Sequence, residues 1–596
     1  MTKYAAPLTD MRFVLFDLLD VEKQYARLPG GESATRDTVD AILDEAAKFC
    51  EQVLAPLNAS GDEEGCTLDK ATGHVTTPKG FKDAYKVYVD GGWSSLNAPE
   101  AYGGQHLPDS MGAPIKEMLD SANLSWGNFP LLSHGASEAL KQHGEEWQRQ
   151  AFLKPIVEGR WTGTMCLTEP HCGSDLGLLR TRAEPNPDGT YRISGTKIFI
   201  TAGEHDLTEN IVHLVLARLP DAPAGVKGIS LFIVPKIKVD RDGKMGERNA
   251  VVCGAIEHKM GIKASVTCVM NFDAAEGYLI GAPNKGLNAM FTMMNTARLA
   301  VGIQGLGLIE RAYQISLAYA RDRLQGRSLS GPKFPDKPAD PLIVHADIRR
   351  MLLTQKAFAE GTRALSYYAA TLVDLVERSP DDAERKRADE LLSFLIPIVK
   401  ALLTEAANEC AYHAMQIHGG HGYIRETGIE QFARDARITT IYEGTTGIQA
   451  LDLLGRKILA TQGVGLRHFL EEISAFCAAK SGDASLAEFI GPLAAAAKEW
   501  GDLTLTLGKR ATTNADEVGA AAVDYLFYSG YIALAYFWAR SVAAAEASSQ
   551  SADFKAAKRH TAHFYFARIL PRMLTHKAAI NAGTDSLLAM PDALFG

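Results

Sequence analysis

A glutamate in a short turn, Ile441-Tyr442-Glu443-Gly444-Thr445-Thr446, is the residue of this sequence best placed to do chemistry. The turn lies between two helical stretches and is softened by glycine, so the backbone aims its carboxylate instead of leaving it on a solvated helix face. Burial raises the proton affinity of such a group and suits it to work as a general base. Taken alone, Glu443 equally fits the start of the next helix, where an acid meets the positive end of the macrodipole. Upstream, Met165-Cys166-Leu167-Thr168-Glu169-Pro170-His171-Cys172-Gly173-Ser174-Asp175 gathers hydroxyls and small residues. A glycine-containing loop of this kind lets the backbone approach an anion closely, although Thr168 and Ser174 also fit as simple turn caps. The histidines His413, His418 and His421 are spaced five and three residues apart, which makes no regular ligand face on a helix. No acidic or cysteine residue is read at ligand spacing to them, and no metal is expected. There is no GxSxG elbow and no P-loop, so hydrolase and NTPase readings have no support.

These groups must be held by a large, ordinary globular framework. At 596 residues the chain is long enough for several domains with their own cores. A net charge of −9 argues against a nucleic-acid binder. The eight cysteines show no CxxC pair, which suits reduced thiols and a cytoplasmic setting. Asp10, Asp17 and Asp20 interrupt the N-terminal region, so neither a secretory signal nor a transit peptide is expected. No stretch is read as approaching the ~20 uninterrupted apolar residues of a membrane span.

Residues 1–160 read as mostly helical, with an amphipathic pattern over Val39–Ala47. Residues 161–283 read as a β domain. Within it Tyr191–Ile200 alternates like strands joined at a turn, while Ile211–Ala217 and Ile229–Val234 look like buried strands. Helical patterns return over 284–460, broken by a loop at Ser330–Pro335, and the run from Glu377 to Glu390 reads as a solvated helix start or loop. An alanine-rich helical domain follows over 461–596, its charges nearly balanced. The fold class is therefore α+β, mainly α. Gly302-Ile303-Gln304-Gly305-Leu306-Gly307 lies in a helical pattern without a preceding strand, so it reads as close helix packing and not as a dinucleotide fingerprint.

Together the 165–175 run, Gln416-Ile417-His418-Gly419-Gly420-His421-Gly422-Tyr423 and the Glu443 turn resemble the signatures of the acyl-CoA dehydrogenase family. The resemblance extends over about residues 35–460 and is strongest at 161–205 and 410–457. It implies a helical, β, helical domain order, with the last domain an addition seen in large bacterial members. It also implies FAD, clasped by the β domain and the helical domain after it. By this resemblance Cys166, Leu167, Thr168, Gly173 and Ser174 serve the cofactor. Thr168 bonds the flavin near N5 and Ser174 meets the pyrophosphate; Ser174 is also assigned to substrate. Phe199 and Thr201 pack against the flavin, and Thr445 is a further cofactor residue. Arg323, at the end of Tyr319-Ala320-Arg321-Asp322-Arg323, reaches the pyrophosphate, for which a guanidinium fork is suited. Gln416, Gly419 and Gly420 follow the adenosine half. The last two segments serve the flavin of a neighbouring subunit in this family, which implies at least a dimer, and a homodimer for the large members. One departure is that His345 is followed by Ala346 where the family often has glutamine.

The resemblance assigns the chemistry as α,β-desaturation of a fatty acyl-CoA to the trans-2-enoyl-CoA. Glu443 is the α-proton base, and the Gly444 N–H bonds the thioester oxygen. Some relatives carry the base just before an arginine on an earlier helix; here that segment reads Asn295-Thr296-Ala297-Arg298, so this base is absent and Arg298 is a supporting substrate residue. Electron-transfer flavoprotein is the implied acceptor, and an acyl-CoA oxidase passing electrons to oxygen is the alternative on this scaffold. Large bacterial members include fatty acyl and 3-methylmercaptopropionyl-CoA enzymes. The DNA-binding alkylation-response branch would have a basic C-terminal domain, which this chain lacks.

Overall fold

The computed structural model describes residues 3–596. The chain divides into two compact units, one formed by Glu45–Leu107 and Met118–Ala300, the other by the residues up to Asp44 together with Pro108–Glu117 and Val301–Gly596.

The first unit holds the β domain. Its seven-stranded sheet comprises β1 (Trp161–Cys166), β2 (Arg182–Pro185), β3 (Tyr191–Thr201), β4 (Asn210–Arg218), β5 (Ile229–Pro235), β6 (Val251–Ile256) and β7 (Thr267–Ile280). Strand order runs β6-β7-β3-β2-β4-β1, and β5 pairs with both β7 and β4, which closes five strands into a ring. Both strands expected to be buried are so, almost throughout β4 and all along β5. Their near-continuous apolar runs, interrupted at His213 and Ser230, reflect sheet faces covered on both sides. The alternating segment at 191–200 is one continuous strand instead of two joined at a turn. Gly195 lets it pass close to β2: a Cβ there would lie 2.4 Å from the Thr181 hydroxyl. The residues before the sheet are helical as expected, except for a small hairpin, Thr67–Asp69 with His74–Thr76.

The second unit is helical. Helix Arg36–Phe49 begins in this unit and buries Val39 and Leu43 there, positions its period dictates. Helix Ala346–Arg378 ends before Pro380, and Asp381 then caps Asp382–His418 by accepting from the Ala383 and Glu384 N–H groups. The Glu377–Glu390 charge run is thus a helix end, a loop and a helix start. Within helix Gly286–Asp322, Gly302 and Gly305 press on Asp382–His418; a Cβ at each would lie 2.6 Å from Val399 and 2.7 Å from the Leu403 carbonyl. Close helix packing is therefore the role of these glycines.

A charged cluster lies in the core of this unit. Arg363, 0% exposed, meets Glu117 at 2.6 Å, Asp10 at 2.5 Å and Glu310 at 2.8 Å. Lys558 from the C-terminal domain pairs with Asp10 and, at 2.7 Å, with Glu360. Helix Asp516–Ala547 is long and apolar enough by length and composition to cross a membrane, although Asp524 and Arg540 interrupt its apolar run. Two thirds of its most apolar window (67%) is buried inside the protein, with Trp538 donating to the Ala357 carbonyl at 3.1 Å, which is the place of a core helix. All eight cysteines are free thiols.

Candidate active site

The loop after β1 is anchored by a buried ion pair. Glu169, 3% exposed, accepts from the Lys197 ammonium at 2.9 Å, the Thr181 hydroxyl at 2.6 Å and the Arg180 and Thr181 N–H groups at 2.8 and 2.9 Å. Burial raises the proton affinity of Glu169, but Lys197 and these donors outweigh it and hold its carboxyl below the usual range. Lys197, on β3 and fully buried, also donates to the Leu167 carbonyl at 2.9 Å, and the Ile198 N–H donates to Thr168 at 2.9 Å.

Thr168 is thus fixed from both flanks with its hydroxyl open. Among the described residues, the hydroxyls of Thr168, Ser174 and Thr201 have no hydrogen-bond partner in the protein. Gly173 and Ser174 are exposed, and Asp175, not Ser174, caps the next turn. Phe199 is 60% exposed and sits at φ +57°, a strained conformation for an aromatic residue that costs about 1–3 kcal/mol. Leu167 is half-buried. Cys166 is enclosed in the core, and burial pushes its thiol up to about 12.

In the helical unit, Glu443 and Gly444 form the turn between helices Ile429–Thr439 and Thr446–Leu451. Both are left-handed, at φ +56° and +91°. For Gly444 this conformation is free of strain, whereas for Glu443 it is an outlier of the kind that clusters at functional sites. The turn is tied on every side. Gln449 Nε2 donates to the Glu443 carbonyl at 2.8 Å, Lys400 Nζ to the Gly444 carbonyl at 2.7 Å, the Tyr442 hydroxyl to Gln304 at 2.5 Å and the Thr446 hydroxyl to Glu405 at 2.6 Å. Thr445 acts as the helix N-cap, accepting from the Ile448 N–H at 3.3 Å.

Arg323 is exposed just beyond helix Gly286–Asp322, and its carbonyl accepts from the Leu342 N–H at 2.9 Å. Helix Asp382–His418 ends beside it: the Tyr319 ring stacks on His418 with centroids 4.1 Å apart, and the Tyr319 hydroxyl meets His421 Nδ1 at 3.0 Å. Gln416 is exposed, and Gly419 and Gly420 have nothing within 4 Å of where a Cβ would be. Ala297 and Arg298 are both buried.

Of the three histidines, His418 and His421 hydrogen-bond to protein, whereas both ring nitrogens of His413 are buried without a hydrogen bond. His418 Nδ1 meets the Ala414 carbonyl at 2.8 Å, and His413 lies 3.4 Å from Glu409, an acidic neighbour one helical turn away that sequence reasoning passed over. Glu169, His171 and Cys172 also place ligand atoms within 4.8 Å of one another, but the Glu169 carboxylate is taken by Lys197 and its other donors. Lys197, Gln449 and Lys400 were missed by sequence reasoning. Lys197 lies in a strand too rich in polar residues to mark it as inward-facing.

Four consecutive family descriptions match the chain: acyl-CoA dehydrogenase N-terminal domain over residues 36–160, middle domain over 164–275, C-terminal domain over 284–459, and "Acetyl-CoA dehydrogenase C-terminal like" over 469–591. The chain belongs to the acyl-CoA dehydrogenase family, whose members are oxidoreductases acting on CH–CH bonds, in the form with an extra C-terminal helical domain. It is 45% identical over 593 residues to the 3-methylmercaptopropionyl-CoA dehydrogenase of Ruegeria pomeroyi, covering 98% of this chain and 99% of that one. It is 33% identical to a broad-specificity linear acyl-CoA dehydrogenase of Mycobacterium tuberculosis, covering 100% of both. The fold also matches the crystal structure of an acyl-CoA dehydrogenase from Bacillus anthracis complexed with FAD, with a TM-score of 0.74, 20% identity, and coverage of 94% of this chain and 90% of that one.

Proposed function

We propose that this protein is an FAD-dependent acyl-CoA dehydrogenase that desaturates a fatty acyl thioester between its α and β carbons, with Glu443 removing the α-proton. The observation that carries the reading is the backbone of Glu443, held at φ +56° in a turn pinned by four side-chain hydrogen bonds. Such a group is aimed before substrate arrives.

The residues present fit FAD. The unpartnered hydroxyls of Thr168, Ser174 and Thr201 and the exposed ring of Phe199 offer polar and stacking contacts to a flavin. The exposed guanidinium of Arg323 and the open Gly419-Gly420 backbone suit a pyrophosphate and the adenosine half beyond it. FAD, when bound, supplies the hydride acceptor for the β-carbon. Glu443 takes and holds the α-proton at its carboxylate. The Gly444 N–H bonds the thioester oxygen where negative charge develops. Cys166 and Leu167 contribute through their backbone, Thr445 through its remaining donor, and Arg298 supports the substrate side.

The domain limits at 160, 283 and 460, a homodimer in which Arg323 and Gln416–Gly420 serve the neighbouring subunit's flavin, and electron-transfer flavoprotein as acceptor all belong to this reading. A second acyl class has a specific observation behind it: identity to the 3-methylmercaptopropionyl-CoA enzyme is 45%, against 33% to the linear acyl enzyme. An anaerobic absorbance titration with acyl-CoAs of graded length and with 3-methylmercaptopropionyl-CoA tests both. Bleaching of a flavin band supports the reading and ranks the substrates. A flavin band that no thioester bleaches would overturn it, and rapid reoxidation by air would favour an oxidase.

A further inference from the structure

Two thiols meet on adjacent strands of the β domain. Cys253 on β6 is 2% exposed and Cys268 on β7 is 0% exposed. The Cys268 thiol donates a hydrogen bond to the Cys253 sulfur, which holds the Cys253 thiol below its ordinary value, while burial pushes Cys268 well above it. The strands are antiparallel, with Cys253 opposite Met270 and Ile256 opposite Cys268. Regular pairing would leave the two cysteines on a diagonal about 7–8 Å apart. The register slips between Cys253 and Ala255, with Gly254 as the extra residue, and a bulge of this kind re-aims the side chains beside it.

The pair has a way in and a way onward. β6 ends the sheet, and the small hairpin of Thr67–Asp69 with His74–Thr76 lies against it. A Cβ at Gly73, in the turn of that hairpin, would sit 2.8 Å from Val252 and 3.3 Å from the Cys253 carbonyl. A two-stranded hairpin has little stability of its own, so local opening uncovers the Cys253 side at low cost. On its other side β7 pairs with β3, where Ile200 stands opposite Cys268 and Thr201 opposite Thr267. The next pair is Lys197 with Met270, so Ile198 and Phe199 are set against the single residue Val269. Phe199 takes up that extra length at φ +57°. A displacement of Cys268 toward β6 therefore reaches the bulge that holds Phe199 and the pair that holds Thr201.

We propose that Cys253 and Cys268 form an oxidisable pair that hydrogen peroxide closes to a disulfide, and that closing it loosens the hold on flavin through β7. The second half rests on the reading of Phe199 and Thr201 as flavin contacts. The Cys253 thiolate attacks one peroxide oxygen, the O–O bond breaks, and the departing hydroxide is protonated to water, leaving a sulfenic acid. The Cys268 sulfur then displaces the sulfenic hydroxyl, which leaves as a second water with the Cys268 proton. Two thiols give up two electrons, and one peroxide becomes two waters. The new bond draws Cys268 toward β6, against the ladder that carries Ile200 and Thr201.

The holoenzyme is treated with hydrogen peroxide, quenched, alkylated while unfolded and digested with trypsin. The expected product is the peptide Asn249–Lys259 joined to Ala264–Lys285, with the free thiols falling from eight to six. Dithiothreitol restores both. Ultrafiltration of the oxidised protein shows flavin held roughly 2- to 10-fold more weakly, the worth of one aromatic stack, and reduction reverses it. In Cys253→Ser and in Cys268→Ala the joined peptide does not form and peroxide leaves the hold on flavin unchanged. Absence of the joined peptide from the treated wild type would overturn the proposal. So would its presence with unchanged flavin affinity, in a protein whose Thr201→Val variant binds FAD more weakly. If Thr201→Val binds FAD as the wild type does, the reading of the flavin contacts fails and takes the coupling with it, while the joined peptide still decides whether the pair is oxidised.

Discussion

Tyr319 and His418, 99 residues apart, stack at 4.1 Å and bring two separate stretches of the chain side by side. The stack sets Arg323, four residues beyond Tyr319, alongside the end of helix Asp382–His418, where Gln416, Gly419 and Gly420 lie. Tyr319→Leu removes a ring contact worth about 0.5–1.5 kcal/mol, which corresponds to a roughly 2- to 10-fold weaker hold on FAD. Fluorescence of released flavin reads this directly, and undiminished affinity would show that the stack does not serve the cofactor.

Arg323→Ala tests the neighbouring assignment more severely. Loss of a guanidinium bonded to phosphate costs about 1.5–3 kcal/mol, so flavin should be lost on dilution or gel filtration. Full retention of the yellow cofactor would place Arg323 elsewhere.

For Glu443→Gln the expected outcome is retained FAD, retained acyl-CoA binding, and a rate of flavin reduction lower by roughly 10²- to 10⁴-fold. Stopped-flow bleaching measures it.

Lys197→Met leaves the Glu169 carboxylate buried beneath the Thr168 loop without its counter-charge. Breaking a buried pair this way costs about 3–5 kcal/mol, read as a fall in denaturation midpoint. Adding Glu169→Gln should recover much of the loss; no recovery would mean that Lys197 matters chiefly through its bond to the Leu167 carbonyl.

Asp10 makes stability pH-dependent. Burial would raise its pKa, but Lys558 and Arg363 override this and lower it from 3.8 to about 2. A carboxyl whose folded pKa is depressed contributes stability above its unfolded value and loses it as pH falls. Stability of the order of 2 kcal/mol should therefore disappear between about pH 4 and pH 2. Asp10→Asn is less stable at neutral pH and flatter across that window. Parallel acid unfolding curves for the two proteins would contradict the assignment.

The sequence could nominate a candidate site because the nominated residues stand in short contiguous runs. The Glu443 turn, the 165–175 loop and Gln416–Gly420 each carry their identity within about a dozen positions. The buried strands and the Gly302–Gly307 helix followed from apolar runs and glycine spacing, both local signals. What was missed is non-local. Lys197 pairs with a glutamate 28 residues away, and Lys400 reaches a carbonyl 44 residues away. Neither link leaves a pattern in sequence. The supposed turn near Gly195 failed for a related reason: that glycine makes room for Thr181, just before the adjacent strand, a neighbour that periodicity along one strand does not reveal.

The ion pair between Asp10 and Lys558 spans 548 residues. At about 5–20 residues per second, the ribosome needs roughly half a minute to two minutes to synthesise the stretch between them. Throughout that time the first helix of the nascent chain has no Lys558 to neutralise its aspartate. The segment around Asp10 can meet Arg363 earlier but must wait for its second cation until the last hundred residues emerge. Truncating the C-terminal domain would thus expose the other end of the chain, and a protein shortened by those residues would be a client for chaperones instead of a smaller enzyme.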